Sequence, residues 1–408
     1  MDCVGADDFL NADFWAEICP WLTVAGGAGS KRGRVSAQSI DILPSLIENG
    51  FSRVTAASLW GESEVVGARN LCRDLEEGVC ALIAAGFPAT CIIVYDEAWA
   101  LAAAVAESVR RNDGMTEHCM LGDWSAFYVD ADAGGRGWPA HRDRPMCTAG
   151  GTSSSTCGES GDSDSTSISS PRSRAIKSTF NAFGVPTYVT CWIPLSSAPP
   201  EASCLYFLPK NADSGFYTGE AAGAEPLALA LAADPSAAQC IIGLPVPRAS
   251  LLVFSHRTLH WGGVPIKGGL GAGASKPAPR IAISFAMAQP SFEAPFLAGG
   301  CETAPATHVA RAGLAAAQLL SYATQAPLGK EAAALCADVT AAAAAAGFFA
   351  PAFEARARAT GEWARFSTSF SHSKYSSAGK GSVSAATVDL LFCARAAADA
   401  GLSLSGFS

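Results

Sequence analysis

The chain has 408 residues, 49% of them hydrophobic and only 16% charged, which excludes an extended disordered polypeptide and a small disulfide-stapled module. Lys plus Arg total 28 against 37 for Asp plus Glu, a net charge of −9, so there is no global positive field to hold a nucleic-acid backbone. The 14 cysteines fall singly, without the paired CxxC spacing of a structural zinc or iron–sulfur site, and point to a reducing, cytoplasmic compartment.

The N-terminal stretch MDCVGADDFLNADFWAEIC lacks the basic-then-apolar order of a secretory signal; the short basic cluster Lys31, Arg32, Arg34 leaves organellar targeting open. LIENGF predicts a helix stopped at Gly50. Between 65 and 85, Leu71, Leu75, Val79 and Leu82 recur at helical spacing and predict one apolar helix face ended by Gly86. The run from Thr90 to Asp96 reads as a short strand. Leu101, Val105 and Val109 then mark a second amphipathic helix ending near Asn112 to Gly114. The alanine-rich runs near Ala100 and from Thr340 fall short of the roughly 20 strongly apolar residues that span a bilayer, so no membrane segment is expected.

From Asp123 the texture changes to short apolar runs set off by glycine and proline: WSAFYV, TYVTCWIPL, CLYFLP, CIIGLPV, SLLVFS and RIAISFAMA. This pattern predicts an antiparallel sandwich or barrel. GGLGAG, from Gly268 to Gly273, lacks the strand-to-helix setting of a dinucleotide fingerprint. Residues 148–175 contain ten serines and read as a flexible insertion; 262–279 read as a second loop carrying Lys267 and Lys276. After Pro295 the chain becomes alanine-rich, with helices expected from His308, from Lys330 and from Thr387. The expected organisation is an N-terminal helical and sheet-supporting region over 1–122, a core over 123–295, and a helical C-terminal extension over 296–408 packed on that core.

Among the six histidines, His141 stands in GWPAHRDRP. In an extended segment the two-residue period puts His141 and Asp143 on one face, with Arg142 facing away. An imidazole and a carboxylate can then converge on one ion. SLLVFSHRTLHWGG offers His256 or His260 as a third ligand. Two histidines and one carboxylate form the facial set of non-haem Fe(II) oxygenases, which leaves three positions for cosubstrate and oxygen.

Here the chain resembles the phytanoyl-CoA dioxygenase-like family of Fe(II)/2-oxoglutarate-dependent oxygenases over roughly residues 123–290. WPAHRDRP resembles the family's His-x-Asp strand, TYVTCWIPLSSAPPEASCLYFLPKNA its next block, SLLVFSHRTLHWGG its distal-histidine block and PRIAISFA the strand carrying the cosubstrate arginine. The resemblance implies a mainly β fold with flanking helices around a double-stranded β-helix (jelly-roll, cupin-like) core. It also implies His141, Asp143 and His260 as catalytic metal ligands, with Arg280 gripping the far carboxylate of 2-oxoglutarate through a planar fork. Thr190, Tyr128 and Trp192 are the further residues expected near the cosubstrate, and His256 is either a support for the site or a core histidine. The implied cofactors are Fe(II), 2-oxoglutarate and O2, with ascorbate as a candidate reductant. Related halogenases carry a small residue where this chain has Asp143, so the resemblance favours hydroxylation of a small organic molecule. Asn211 and Ala212 stand where the family often has Ser-His, and the long interval from His260 to Arg280 is also a departure; an acyl-CoA substrate does not carry over. A second reading is a noncatalytic binding or scaffold protein on the same fold. No nucleic-acid, membrane or obligate protein partner is expected.

Overall fold

The computed structural model describes residues 4–24, 35–131, 135, 137–144, 179–220, 224–265, 278–301, 307–322 and 328–366. The basic cluster at 31–34, the serine-rich stretch 148–175, nearly all of its glycine-rich counterpart and the helix expected from Thr387 lie outside them.

Two short helices, α1 (Ala6–Phe9) and α2 (Ala12–Ile18), precede α3 (Leu43–Asn49). Gly50 ends α3 at φ 85°, a left-handed conformation that suits a residue without a Cβ. Strand β1 (Phe51–Val54) follows directly, and α4 (Ala56–Ala84) starts where the Thr55 hydroxyl accepts from the Ser58 N–H at 3.2 Å. Leu71, Leu75, Val79 and Leu82 of α4 are buried, as their spacing predicts. So are Leu101, Val105 and Val109 of α5 (Asp96–Arg110). The intervening run, expected as a strand, is instead a 3-10 helix over Ala89–Val94. Periodicity does not distinguish a short, wholly buried apolar run in a strand from one in a tight helical turn.

The strands form two sheets. β2 (Cys119–Val129), β3 (Tyr188–Pro194), β6 (Leu251–Ser255) and β8 (Arg280–Ala288) join β1 in a five-stranded antiparallel sheet of order β1-β6-β3-β8-β2. β4 (Leu205–Leu208), β5 (Ile242–Leu244) and β7 (Leu259–Gly262) form a three-stranded sheet of order β5-β4-β7, with α6 (Pro226–Ala233) between β4 and β5 in sequence. The outward residues of the larger sheet, including Val189, Cys191, Val253, Ile281 and Ile283, pack into a core shared with α4, α5 and the C-terminal helices α7 (His308–Ser321) and α8 (Lys330–Ala345). A last helix, α9, spans Pro351–Phe366. The inward residues Trp192, Leu252, Phe254 and Ala282 meet Leu205 and Phe207 of the smaller sheet. The site lies between these inner faces.

This architecture corrects the expected mainly β, double-stranded β-helix fold. Among the described residues the two sheets stay open, no closed barrel forms, and helix outweighs strand. Beyond β7 the smaller sheet continues only as an isolated bridge between His141 and His260. Short strands with turn signals are common to open and closed sheets, and closure depends on edge pairing that no local pattern records. The helical mass on the outer face of the larger sheet gives those strands two buried faces, hence their continuous apolar runs. Among the described residues no helix is long and apolar enough to cross a membrane.

The helix packing makes a paired prediction. A Cβ at Gly313 of α7 would lie 2.2 Å from the Cβ of Ala343 in α8, whereas one at exposed Gly67 of α4 meets nothing within 4 Å. Helix propensity favours alanine over glycine by about 1 kcal/mol, while overpacking costs about 1–3 kcal/mol. Gly67→Ala should therefore raise the denaturation midpoint and Gly313→Ala should lower it.

Candidate metal centre

His141 and His260 come from separate segments that meet as an antiparallel pair. The His141 N–H donates to the His260 carbonyl at 3.0 Å and the His260 N–H donates back at 3.1 Å, bringing the ring centroids within 4.4 Å. Asp143, two residues on, returns to the same face. Its Oδ1 lies 3.5 Å from His141 Nε2 and 3.5 Å from His260 Nε2. These three side chains offer ligand atoms within 4.8 Å of one another.

The other nitrogen of each ring is already committed. Nδ1 of His141 donates to the Pro139 carbonyl at 2.7 Å, and Nδ1 of His260 to the Thr258 carbonyl at 3.0 Å. A carbonyl only accepts, so Nδ1 carries the hydrogen and the Nε2 lone pairs face Asp143. Such outer hydrogen bonds fix the tautomer of a metal-ligating histidine. The His260 ring also packs against Phe207 and Phe254, at centroid distances of 5.8 and 4.5 Å. Burial, reinforced by neighbouring His141, pushes the His260 pKa down to about 4 against the pull of Asp143, leaving a neutral imidazole at neutral pH. Burial alone would raise the Asp143 carboxyl, but the two imidazoles and the Thr190 hydroxyl outweigh it and hold the carboxyl below the usual range. One carboxylate and neutral imidazole is the protonation state that metal binding requires.

The triad opens into a cavity of ≈160 Å³ between the sheets. Arg280 lines that cavity, with its guanidinium carbon 6.0 Å from the rings of both Phe127 and Trp192. The residue is 1% exposed, and its Nε and Nη1 have no hydrogen-bond partner among the described residues. Burial lowers its pKa to about 10, so it remains a cation at neutral pH. Trp192 lines the cavity. Thr190 lines it too, but its hydroxyl donates to Asp143 Oδ2, fixing that carboxylate.

Tyr128 requires a correction. After the register shift at Gly122 of β2, Asp123, Ser125 and Phe127 face the cavity, and Tyr128 packs on the opposite side against the helical core. His256 stands outside the triad. Its Nδ1 donates to the Tyr188 carbonyl at 3.0 Å, its ring packs against Phe180, Tyr188 and Phe292, and burial lowers its pKa to about 3.

The sequence reading missed the polar wall beside the triad. Arg144 donates to Asp123 Oδ2 at 2.6 Å and to Glu293 Oε2 at 3.0 Å, and Tyr322, just past α7, donates to Asp123 Oδ1 at 2.9 Å. Trp138 stacks edge-on to Tyr322 and lies 5.9 Å from His141. Arg144 follows the His-x-Asp pair directly, and that adjacency was the available signal. Tyr322 had none, because its approach depends on where α7 docks.

No protein-family model matches the chain, and no curated protein matches it. Among solved structures it is similar to the epimerase SnoN from nogalamycin biosynthesis in complex with Fe3+, alpha ketoglutarate and nogalamycin RO: 14% identity over 60% of this chain and 81% of that one, TM-score 0.38. It is also similar to HygX from Streptomyces hygroscopicus with nickel, 2-oxoglutarate and hygromycin B bound, at 12% identity over 60% and 85% of the two chains, TM-score 0.35. The non-heme alpha ketoglutarate dependent carbocyclase SnoK gives 12% identity over 66% and 87%, TM-score 0.32. Similarities this loose assign no activity to the chain.

The buried histidines set a pH dependence. Burial lowers the pKa of His118, and His256 and His260 are depressed to about 3 and about 4. Unfolded histidine titrates near ~6.5, so below that pH the unfolded chain binds more protons than the native one. The stabilisation is present above pH ~6.5 and is lost as the pH falls toward the folded values, with a slope of about 1.4 kcal/mol per pH unit for each histidine involved. Urea midpoints of the metal-free protein should fall steadily from pH 7 to pH 5; a flat profile would contradict the neutral burial of these rings.

Proposed function

We propose that the chain is a non-haem Fe(II)/2-oxoglutarate-dependent oxygenase that hydroxylates a small organic molecule. The observation that carries this reading is one cavity bearing a His/Asp/His donor set and a buried guanidinium whose Nε and Nη1 lack partners among the described residues. Two imidazoles and one carboxylate suit Fe(II) and leave room for further ligands. The Arg280 fork suits a carboxylate. The ordered motifs shared with the phytanoyl-CoA dioxygenase-like family support the same assignment.

In this reading His141, Asp143 and His260 hold the iron, and Arg280 holds the far carboxylate of 2-oxoglutarate. Bound iron, with 2-oxoglutarate and O2, supplies the oxidising chemistry, in which 2-oxoglutarate is converted to succinate and CO2. The chain supplies position and environment. Thr190 orients Asp143 through the outer carboxylate oxygen, so that Oδ1 faces the imidazoles. Phe127, Trp192, Leu205 and Phe254 line the cavity with apolar surface around buried Arg280 and His260. Trp138, Tyr322 and the Asp123–Arg144 pair line it as well and offer an aromatic and hydrogen-bonding surface to the substrate. The presence of Asp143, rather than a small residue, supports hydroxylation over halogenation.

The test combines anaerobic titration of Fe(II) and 2-oxoglutarate with aerobic measurement of succinate in the presence of ascorbate. The native chain should bind both and release succinate. His141→Ala and Asp143→Ala should lose Fe(II) binding while keeping a cooperative unfolding transition. Arg280→Lys should keep the metal but weaken 2-oxoglutarate binding about 10- to 100-fold, the equivalent of one charge-assisted hydrogen bond. A well-folded native protein that binds neither ligand would remove this reading and leave the noncatalytic alternative.

A further inference from the structure

Arg142 sits between the two ligands His141 and Asp143 and points the other way, into the protein. Its side chain is 2% exposed. Nη1 and Nη2 take both oxygens of Asp213, at 2.6 and 2.9 Å; Nε lies 3.0 Å from each oxygen of Glu220, and Nη2 also reaches Glu220. Nη1 further donates to the backbone carbonyl of Arg257, in the turn between β6 and β7 that leads to His260. Arg257 returns the contact. Its Nη1 donates to the carbonyl of Arg144 at 3.2 Å, and its Nε and Nη2 donate to the carbonyls of Phe216 and Gly215 at 3.0 and 3.1 Å.

The two ligand-bearing segments therefore exchange arginines. Arg142, from the segment with His141 and Asp143, holds the turn before His260, and Arg257, from that turn, holds the end of the first segment. Both are gripped by the same loop, 213–220. A guanidinium whose donors are all engaged in a fixed plane cannot shift without breaking several charge-assisted bonds. The His141–His260 bridge lies outside any regular ladder and is flanked only by the Gly262 N–H donating to the Trp138 carbonyl at 3.1 Å and the Arg144 N–H to the His256 carbonyl at 3.5 Å, and such backbone bonds contribute about 1 kcal/mol each. The exchanged arginines add charge-assisted side-chain bonds to this short backbone pairing.

We infer that Arg142 and Arg257, closed by Asp213 and Glu220, form a clasp that sets the spacing between His141/Asp143 and His260 and thereby tunes the affinity and geometry of the metal site. The inference rests on the proposed function, because it assigns these arginines as positioning residues for that metal. Removing Arg142 outright strands two acidic side chains and risks unfolding the chain. Gentler changes probe the clasp. Glu220→Gln keeps shape and removes one charge. Gly215→Ala adds no charge, but its Cβ would fall 2.6 Å from Arg142 Nη2 and 2.4 Å from Glu220 Oε1, forcing the clasp open.

The experiment is titration of native protein and both variants with Co(II) alone, recording affinity by calorimetry and the visible absorption spectrum at saturation, with circular dichroism as the check on folding. Outer-sphere changes at metal sites cost about 10- to 100-fold in affinity. Both folded variants should show a loss of that size and a Co(II) spectrum altered at full occupancy, which a merely destabilising substitution would leave unchanged. Native-like affinity and spectrum in both folded variants would overturn the clasp while leaving the metal site intact. A native protein that binds no Co(II) would overturn the functional reading itself, and the clasp with it.

Discussion

Two backbone hydrogen bonds between His141 and His260 are the contact on which the site depends. They join a segment that belongs to no regular strand to the edge of the smaller sheet and set two imidazoles side by side. The Gly262 N–H, donating to the Trp138 carbonyl at 3.1 Å, extends that pairing on one side. Its permanence comes from neighbours: Phe207 and Phe254 fix one ring, and the Pro139 and Thr258 carbonyls fix both tautomers. The turn before β7 is anchored from behind, where the Thr258 hydroxyl and the Ser255 N–H both donate to the Gly50 carbonyl. Gly50 also admits Thr258 closely, since a Cβ there would lie 2.8 Å from its hydroxyl oxygen. The end of α3, far from the site in sequence, thus fixes the position of His260.

The legible part of this arrangement was what a two-residue period can carry. His141 and Asp143 share a face and Arg142 opposes them, as any extended segment requires. Spacing left His256 and His260 open as third ligands, since both flank one tight turn. In the folded chain His256 spends its Nδ1 on Tyr188 and its ring among aromatics, while His260 lies in β7 with its Nε2 free to face Asp143. Strand alternation was also legible for Thr190 and Trp192. For Tyr128 it failed because alternation gives parity without saying which parity faces inward, and the shift at Gly122 resets it.

Larger-scale features were less legible for a different reason. Whether short strands close or stay open depends on which edges meet, and here β1 and β2 end the larger sheet and β5 and β7 the smaller. The buried run Ala89–Val94 is apolar enough for a strand and instead forms a 3-10 helix in the core it shares with α4, α5 and α7. The four-residue strand β1 gave no pattern long enough to detect. The roles of Arg257, Glu220 and Tyr322 are tertiary: each acts through a partner distant in sequence, and no motif joins them to the His-x-Asp pair.

Charge completes the account of the cavity. A buried cation is expensive unless it is paired, and this chain pairs Arg142 with Asp213 and Glu220, and Arg144 with Asp123 and Glu293. Arg280 departs from that rule. It is 1% exposed, faces two aromatic rings, and keeps Nε and Nη1 without a hydrogen-bond partner among the described residues. The native fold therefore carries a local cost that an anion of matching shape would offset, and the cost is largest where water is least able to substitute. A monodentate or apolar ligand would leave it in place. A carboxylate presented to the fork would offer two acceptors at once. The cavity thus sets the Asp143 carboxylate, which the Thr190 hydroxyl and two imidazoles surround, against a guanidinium whose Nε and Nη1 are left without a partner among the described residues.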